Sequence, residues 1–87
     1  MSLRVVIAGA GYFSRFHHRA WARMEDVSLR ATCDRDLAKA RAMARPFAAT
    51  AFDDVAAMLD DVRPDLLDIA APPPTHLALI AAPATAA

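Results

Sequence analysis

Little in this chain lends itself to cross-linking, electrostatic capture or membrane insertion. There is one cysteine, Cys33, so no internal disulfide can form. Its place at the end of an apolar run suits an inert, buried thiol in a cytoplasmic protein. Ten basic residues balance ten acidic ones. Without a basic excess nothing marks a nucleic-acid partner, and without a charge block nothing marks an acidic or basic tail. Hydrophobic runs are short. The amino-terminal one stops at Gly9, too early for the apolar region of a signal peptide. The uncharged stretch 69–87 is interrupted by Pro72, Pro73, Pro74, His76 and Pro83, which argues against a membrane span. Histidines are few and badly placed for a metal: His17 and His18 are adjacent, so on a helix they point about 100° apart and cannot share one ion. Surface or packing roles are expected for both.

Glycine is the scarcity that speaks most directly. The chain has two, Gly9 and Gly11, and both follow the run Val5-Val6-Ile7-Ala8. Consecutive β-branched apolar residues suit a strand buried on both faces, as in a parallel sheet covered by helices. With Ser14 in the third place, Gly9 and Gly11 have the spacing G-x-G-x-x-G, one residue type short of the dinucleotide fingerprint. Gly9 would make the turn, and Gly11 would admit a pyrophosphate close to the backbone. A small third residue lets the following helix pack against the strand, and a serine there adds a hydroxyl that can reach a phosphate oxygen. Backbone N–H groups and the helix dipole would draw the anion in. Two glycines after a strand are equally an ordinary turn. The discriminating residue is an acid at the end of a second strand about 20 residues on. Asp34, closing the run Val27 to Cys33, fills that place. Its carboxylate would accept the adenosine ribose hydroxyls and repel a 2′-phosphate, favouring NAD over NADP. The same carboxylate can instead cap the next helix. Arg35 beside it can stack on adenine or pair with a 2′-phosphate, which leaves NADP open.

What is abundant is alanine, 22 of 87 residues, within an apolar fraction of 56%. The core is therefore made of small side chains, in a single domain that hides only roughly 60 per cent of the surface its unfolded chain exposes. In chain order, a first helix is expected from Tyr12 to Met24, with Phe13, Phe16, Ala20 and Met24 inward and Arg15, Arg19 and Arg23 on another face. A strand over 27–34 follows. Leu37, Ala40 and Ala44 mark the buried side of a second helix, which Pro46 ends by disfavouring a helical Arg45. A short strand over 49–52 leads to a third helix from Val55 to about Asp61, capped by Asp53 or Asp54, with Val55, Met58 and Leu59 inward. Leu66 to Ala71 is a fourth strand, apolar except for Asp68. Thr75 to Ala82 opens a fourth helix. The alternation implies an α/β fold, a partial Rossmann fold whose parallel sheet has the order 3-2-1-4 and helices on both faces. The fourth strand would then have an open apolar edge, which favours a homodimer or larger assembly.

These motifs together resemble the amino-terminal domain of the glucose-fructose oxidoreductase and inositol dehydrogenase (Gfo/Idh/MocA) family. GAGYFSRFH from Gly9 to His17 is similar to that family's G-x-G-x-x-G-x-x-H. CDRD from Cys33, AFDDVAAML from Ala51 and DLLDIAAPPPTH from Asp65 also match, the last in the place of a strand ending in T-P-x-x-x-H. Ser14, Ala71 and Pro73 depart from the usual glycine, threonine and asparagine. The resemblance implies a dinucleotide surface of Gly9, Gly11, Tyr12, Phe13, Ser14, Asp34 and Arg35 on the adenosine and pyrophosphate side. On the nicotinamide side it implies Ala71, Pro72 and His76, although a packing role for His76 is as well supported. It further implies hydride transfer with a sugar-like or polyol substrate. The family's catalytic lysine lies in a Glu-Lys-Pro segment after a fifth strand. The only lysine in this chain is Lys39. The 87 residues are therefore expected to bind a dinucleotide without catalysing its reduction, as part of an oxidoreductase or as a truncated binding or self-association module.

Overall fold

The structure is a computed structural model that describes residues 2–11 and 13–70. Four parallel strands, β1 (Leu3–Ala8), β2 (Val27–Cys33), β3 (Thr50–Phe52) and β4 (Leu66–Ile69), lie in the order β3-β2-β1-β4. Three helices alternate with them: α1 (Ser14–Ala22), α2 (Leu37–Ala44) and α3 (Val55–Val62). The expected topology holds. The fourth helix, with Ala71, Pro72 and His76, lies outside the described residues.

One face of the sheet is apolar. Val6, Ala31, Cys33 and Leu67 are buried against Met58 of α3, with Ala8, Phe52, Leu59, Val62 and Ile69 around them. Burial, with Asp54, Asp34 and Asp53 nearby, pushes the Cys33 thiol above its ordinary pKa, as the sequence suggests for an inert thiol. Asp54 caps α3 by accepting the N–H of Ala56 at 3.0 Å. Val55, expected inward, is exposed. It is the first residue of α3.

Strand β2 does not alternate throughout. Val5 pairs with Leu29 and Val6 with Ala31, so Arg30 is an extra residue and is exposed. The bulge shifts the pleat by one position, so Ala31 and Cys33 face α3 while Thr32 faces α1. Helix α2 buries Ala40 and Ala44 as expected. Pro46 does not stop the chain at Arg45, which stays helical at φ −53° and ψ −48°. A 3-10 turn runs from Arg45 to Phe47 instead and ends at Ala48 in the left-handed region.

The largest departure is α1. Phe13, Phe16, Ala20 and Met24, expected inward, are exposed. The inward stripe is Ser14, His17, His18 and Trp21. Its i, i+3, i+4, i+7 spacing is that of a packed helix face, but its side chains are polar. Asp68 holds two of them, its Oδ2 accepting from His17 Nδ1 at 2.7 Å and Trp21 Nε1 at 2.8 Å. Thr32 holds a third, 2.6 Å from His18 Nε2. These bonds decide how the helix is rotated. Buried polar groups left without partners cost about 1–3 kcal/mol each, comparable to what burying a phenylalanine side chain gains.

Candidate dinucleotide site

The site is assembled where β1, β2 and β4 end. Gly9 has φ +113°, a conformation that side chains rarely adopt. It is also wedged: a Cβ on Gly9 would lie 2.7 Å from the carbonyl oxygen of Ala70, just past β4. The N–H of Gly9 donates to the Cys33 carbonyl at 2.7 Å, and that of Ala70 to the Ala8 carbonyl at 2.9 Å. The turn is thus stitched to the ends of both neighbouring strands. Gly11 differs. A Cβ there would meet nothing within 4 Å, so the fold itself does not require a glycine and the backbone face is open to an outside group.

Asp34 closes the other side. Its Oδ2 accepts the N–H of Ala10 at 2.9 Å, and its Oδ1 accepts the N–H of Asp36 at 2.8 Å. One carboxylate therefore ties the glycine turn to the start of α2. Burial alone would raise its pKa. The two N–H bonds, aided by Lys39 and Arg35, nevertheless hold it below the ordinary carboxylate value. Asp36, not Asp34, caps α2, accepting from Ala38 and Lys39. This frees Asp34 from that task. Arg35 is exposed between the two acids.

Ser14 is placed differently from the sequence expectation. Its hydroxyl is fully buried and donates to the carbonyl of Gly9, so it braces the turn from within and does not face a phosphate. Phe13 is the N-cap position of α1 with no side-chain cap, and the first turn carries no acid, which leaves the helix start electropositive. Tyr12 is outside the described residues.

Behind the turn sits His18, wholly buried and stacked 5.7 Å from Phe47. Its Nδ1 lies 2.7 Å from the Ser14 carbonyl, which can only accept, so Nδ1 carries the proton and Nε2 accepts from the Thr32 hydroxyl. Burial lowers its pKa against the bond to Ser14, which keeps the ring neutral. Of the surface and packing roles expected for His18, the packing one holds, through partners in its own first turn and on β2. The only signal available was the 14, 17, 18, 21 spacing itself. No group of three metal-binding side chains occurs among the described residues, and none of their helices is long and apolar enough to cross a membrane.

A parallel sheet in this order, with a glycine turn and an acid meeting at its carboxyl edge, defines a dinucleotide-binding domain of the Rossmann class. The chain belongs to the Gfo/Idh/MocA oxidoreductase family, whose NAD-binding Rossmann domain matches residues 3–86. Among curated relatives, it is 36% identical to a D-apiose dehydrogenase of Paraburkholderia graminis over 75 residues and 37% identical to a D-glucoside 3-dehydrogenase of Escherichia coli over 76. It spans only 20% and 22% of their lengths, while 85% of this chain is covered in each case. An Agrobacterium radiobacter oxidoreductase, solved with NAD+, L-tartaric acid and magnesium, superposes with a TM-score of 0.75 at 27% identity. That match covers 83% of this chain and 21% of the larger one.

Proposed function

We propose that this chain binds NAD(H) across the Gly9–Gly11 turn, as the dinucleotide half of an oxidoreductase acting on a sugar-like or polyol substrate. The observation that carries the reading is the 2.9 Å bond from Ala10 N–H to Asp34, which brings the acid of β2 onto the glycine turn of β1. The pyrophosphate would lie against the open face of Gly11 and the uncapped start of α1, where N–H groups and the dipole attract it. The adenosine ribose would donate its hydroxyls to the remaining lone pairs of Asp34, with Arg35 beside the adenine. Bound NAD supplies hydride chemistry. The residues of this chain fix where its adenosine half sits. Ala71, Pro72 and His76, which the family resemblance assigns to the nicotinamide side, lie outside the described residues.

Calorimetric titration tests the reading. Wild type should bind NAD+ and NADH. Asp34→Asn, which keeps an acceptor for Ala10 but loses the charge, should weaken binding about tenfold, the worth of one charge-assisted hydrogen bond. Unchanged affinity in that variant would remove Asp34 from the ribose site.

A cytoplasmic setting fits the lone buried Cys33. Self-association fits the edge of β4, which among the described residues pairs with β1 alone. Light scattering over a concentration series should show a dimer or larger species, and a strict monomer would overturn that part.

A further inference from the structure

Away from the glycine turn, the sheet ends in β3, which among the described residues pairs with β2 alone, in the register Ala31–Thr50, Thr32–Ala51 and Cys33–Phe52. The N–H of Asp34 donates to the Phe52 carbonyl, so Phe52 turns its backbone groups to β2. Backbone groups alternate in direction along a strand, and those of Ala51 therefore face the open edge. Such edges are usually blunted by charge or proline on the strand itself. Thr50, Ala51 and Phe52 carry neither. The nearest cations stand on α2 and the turn after it. Arg41 and Arg45, one turn apart, form a groove along β3 with Ala44, Ala49 and Ala51. Both arginines are exposed, and neither is ion-paired among the described residues, where the salt bridges are Arg4–Asp65 and His17–Asp68. Just past β3, Asp53 is exposed and has no ion pair or hydrogen bond among the described residues.

We propose that β3 docks a second copy of this chain, antiparallel about a two-fold axis at Ala51, with Asp53 of each copy in the Arg41–Arg45 groove of the other. The contact lies at the opposite end of the sheet from β4 and does not depend on the dinucleotide reading. With the axis at Ala51, that residue exchanges both of its backbone bonds with its own symmetry mate, the closely bonded pair of an antiparallel ladder. Two residues on, Asp53 falls opposite Ala49 of the other copy. The N–H of Ala49 is already given to the Ala44 carbonyl at 3.2 Å, so only its carbonyl is left to accept, from the N–H of Asp53, and the ladder ends there. Residues two apart on a strand, and residues directly opposed across a pair, share one face of the sheet. Ala49 and Ala51 line the groove on the α2 side, so position 53 of the other copy falls on that side too. Charge selects the occupant. The axis gathers the guanidiniums of Arg41 and Arg45 from both copies on one face, and the Asp53 carboxylates relieve their repulsion where a neutral or basic strand would not.

Sedimentation equilibrium of the whole chain over a concentration series tests the contact through two exposed variants, Asp53→Arg and Arg45→Asp. Wild type should self-associate. Each variant alone turns both of its cross-axis contacts repulsive and should raise the dimer Kd at least about tenfold. Mixed in equal amounts, the two variants should recover association close to wild type, because in the mixed pair both 53–45 contacts are again opposite in charge. A fold damaged by either substitution would not recover on mixing. Single variants that associate as tightly as wild type overturn the proposal and leave the β4 edge as the contact. Variants that stay apart when mixed overturn it as well. A wild type that is monomeric throughout overturns it together with the β4-edge reading. Wild-type species larger than a dimer, which each variant reduces to dimers and the mixture restores, bear out the β3 contact and the β4 edge together. NADH titration of both variants should match wild type, which keeps a failure at this edge distinct from a failure of the dinucleotide site.

Discussion

The two faces of the sheet are held by different physics. Toward α3, Val6, Ala31, Cys33, Leu67 and Met58 meet as apolar surfaces, an interaction without direction that tolerates any shape filling the same space. Toward α1, the sheet offers Thr32 and Asp68 alongside Val5 and Ile7, and the helix answers with His18, His17 and Trp21. Hydrogen bonds are directional, so this face fixes the rotation and height of α1. The start of α1 is where the proposed dinucleotide site begins. The apolar face supplies stability that many sequences could supply; the polar face supplies position.

The largest effect that would sharpen this contrast is expected from Asp68→Leu. It removes the acceptor that the half-buried His17 and Trp21 share and should cost about 2–3 kcal/mol. Met58→Leu on the opposite face keeps volume and polarity and should cost less than about 1.5 kcal/mol. Urea denaturation of the two variants makes the comparison, and equal losses would end the distinction between the faces.

A smaller effect is expected from pH. Burial lowers the pKa of His18 in the folded protein, so below the ordinary value of 6.5 the unfolded chain takes up a proton that the folded chain does not. The stability from neutral His18 is fully present above 6.5 and drains away as pH falls towards the folded value. The melting temperature should therefore fall more steeply below pH 6.5 in wild type than in His18→Gln. Parallel profiles would mean that protonation of His18 does not load the polar face.

Much of the architecture was legible because it is written locally. The alternation of apolar runs, the alanine stripe of α2 and the capping aspartate of α3 each concern residues within a turn or two of one another. The glycine turn was legible too, since positive φ at Gly9 is a local demand. Arg45 was misjudged because the restriction before a proline is a preference, and a single 3-10 turn satisfies it. The bulge at Arg30 was invisible, since register exists only between two strands.

The rotation of α1 was misread for a different reason. Ranked by hydropathy, Phe13, Phe16 and Met24 belong inside and His18 outside. That ranking reverses once a buried polar side chain has a partner. The partners here, Thr32 for His18 and Asp68 for His17 and Trp21, come from other strands 14 to 51 residues away. Likewise Ser14 reads as a phosphate contact until Gly9's carbonyl is seen to occupy its hydroxyl. The sequence by itself determined the elements, their order in the sheet and the meeting of a glycine turn with an acid, because spacing and backbone conformation are local properties. Only the tertiary structure decided which face of α1 is buried and what Asp34 and Ser14 hold. Each of these depends on which distant side chain arrives to satisfy a charge or a hydrogen bond.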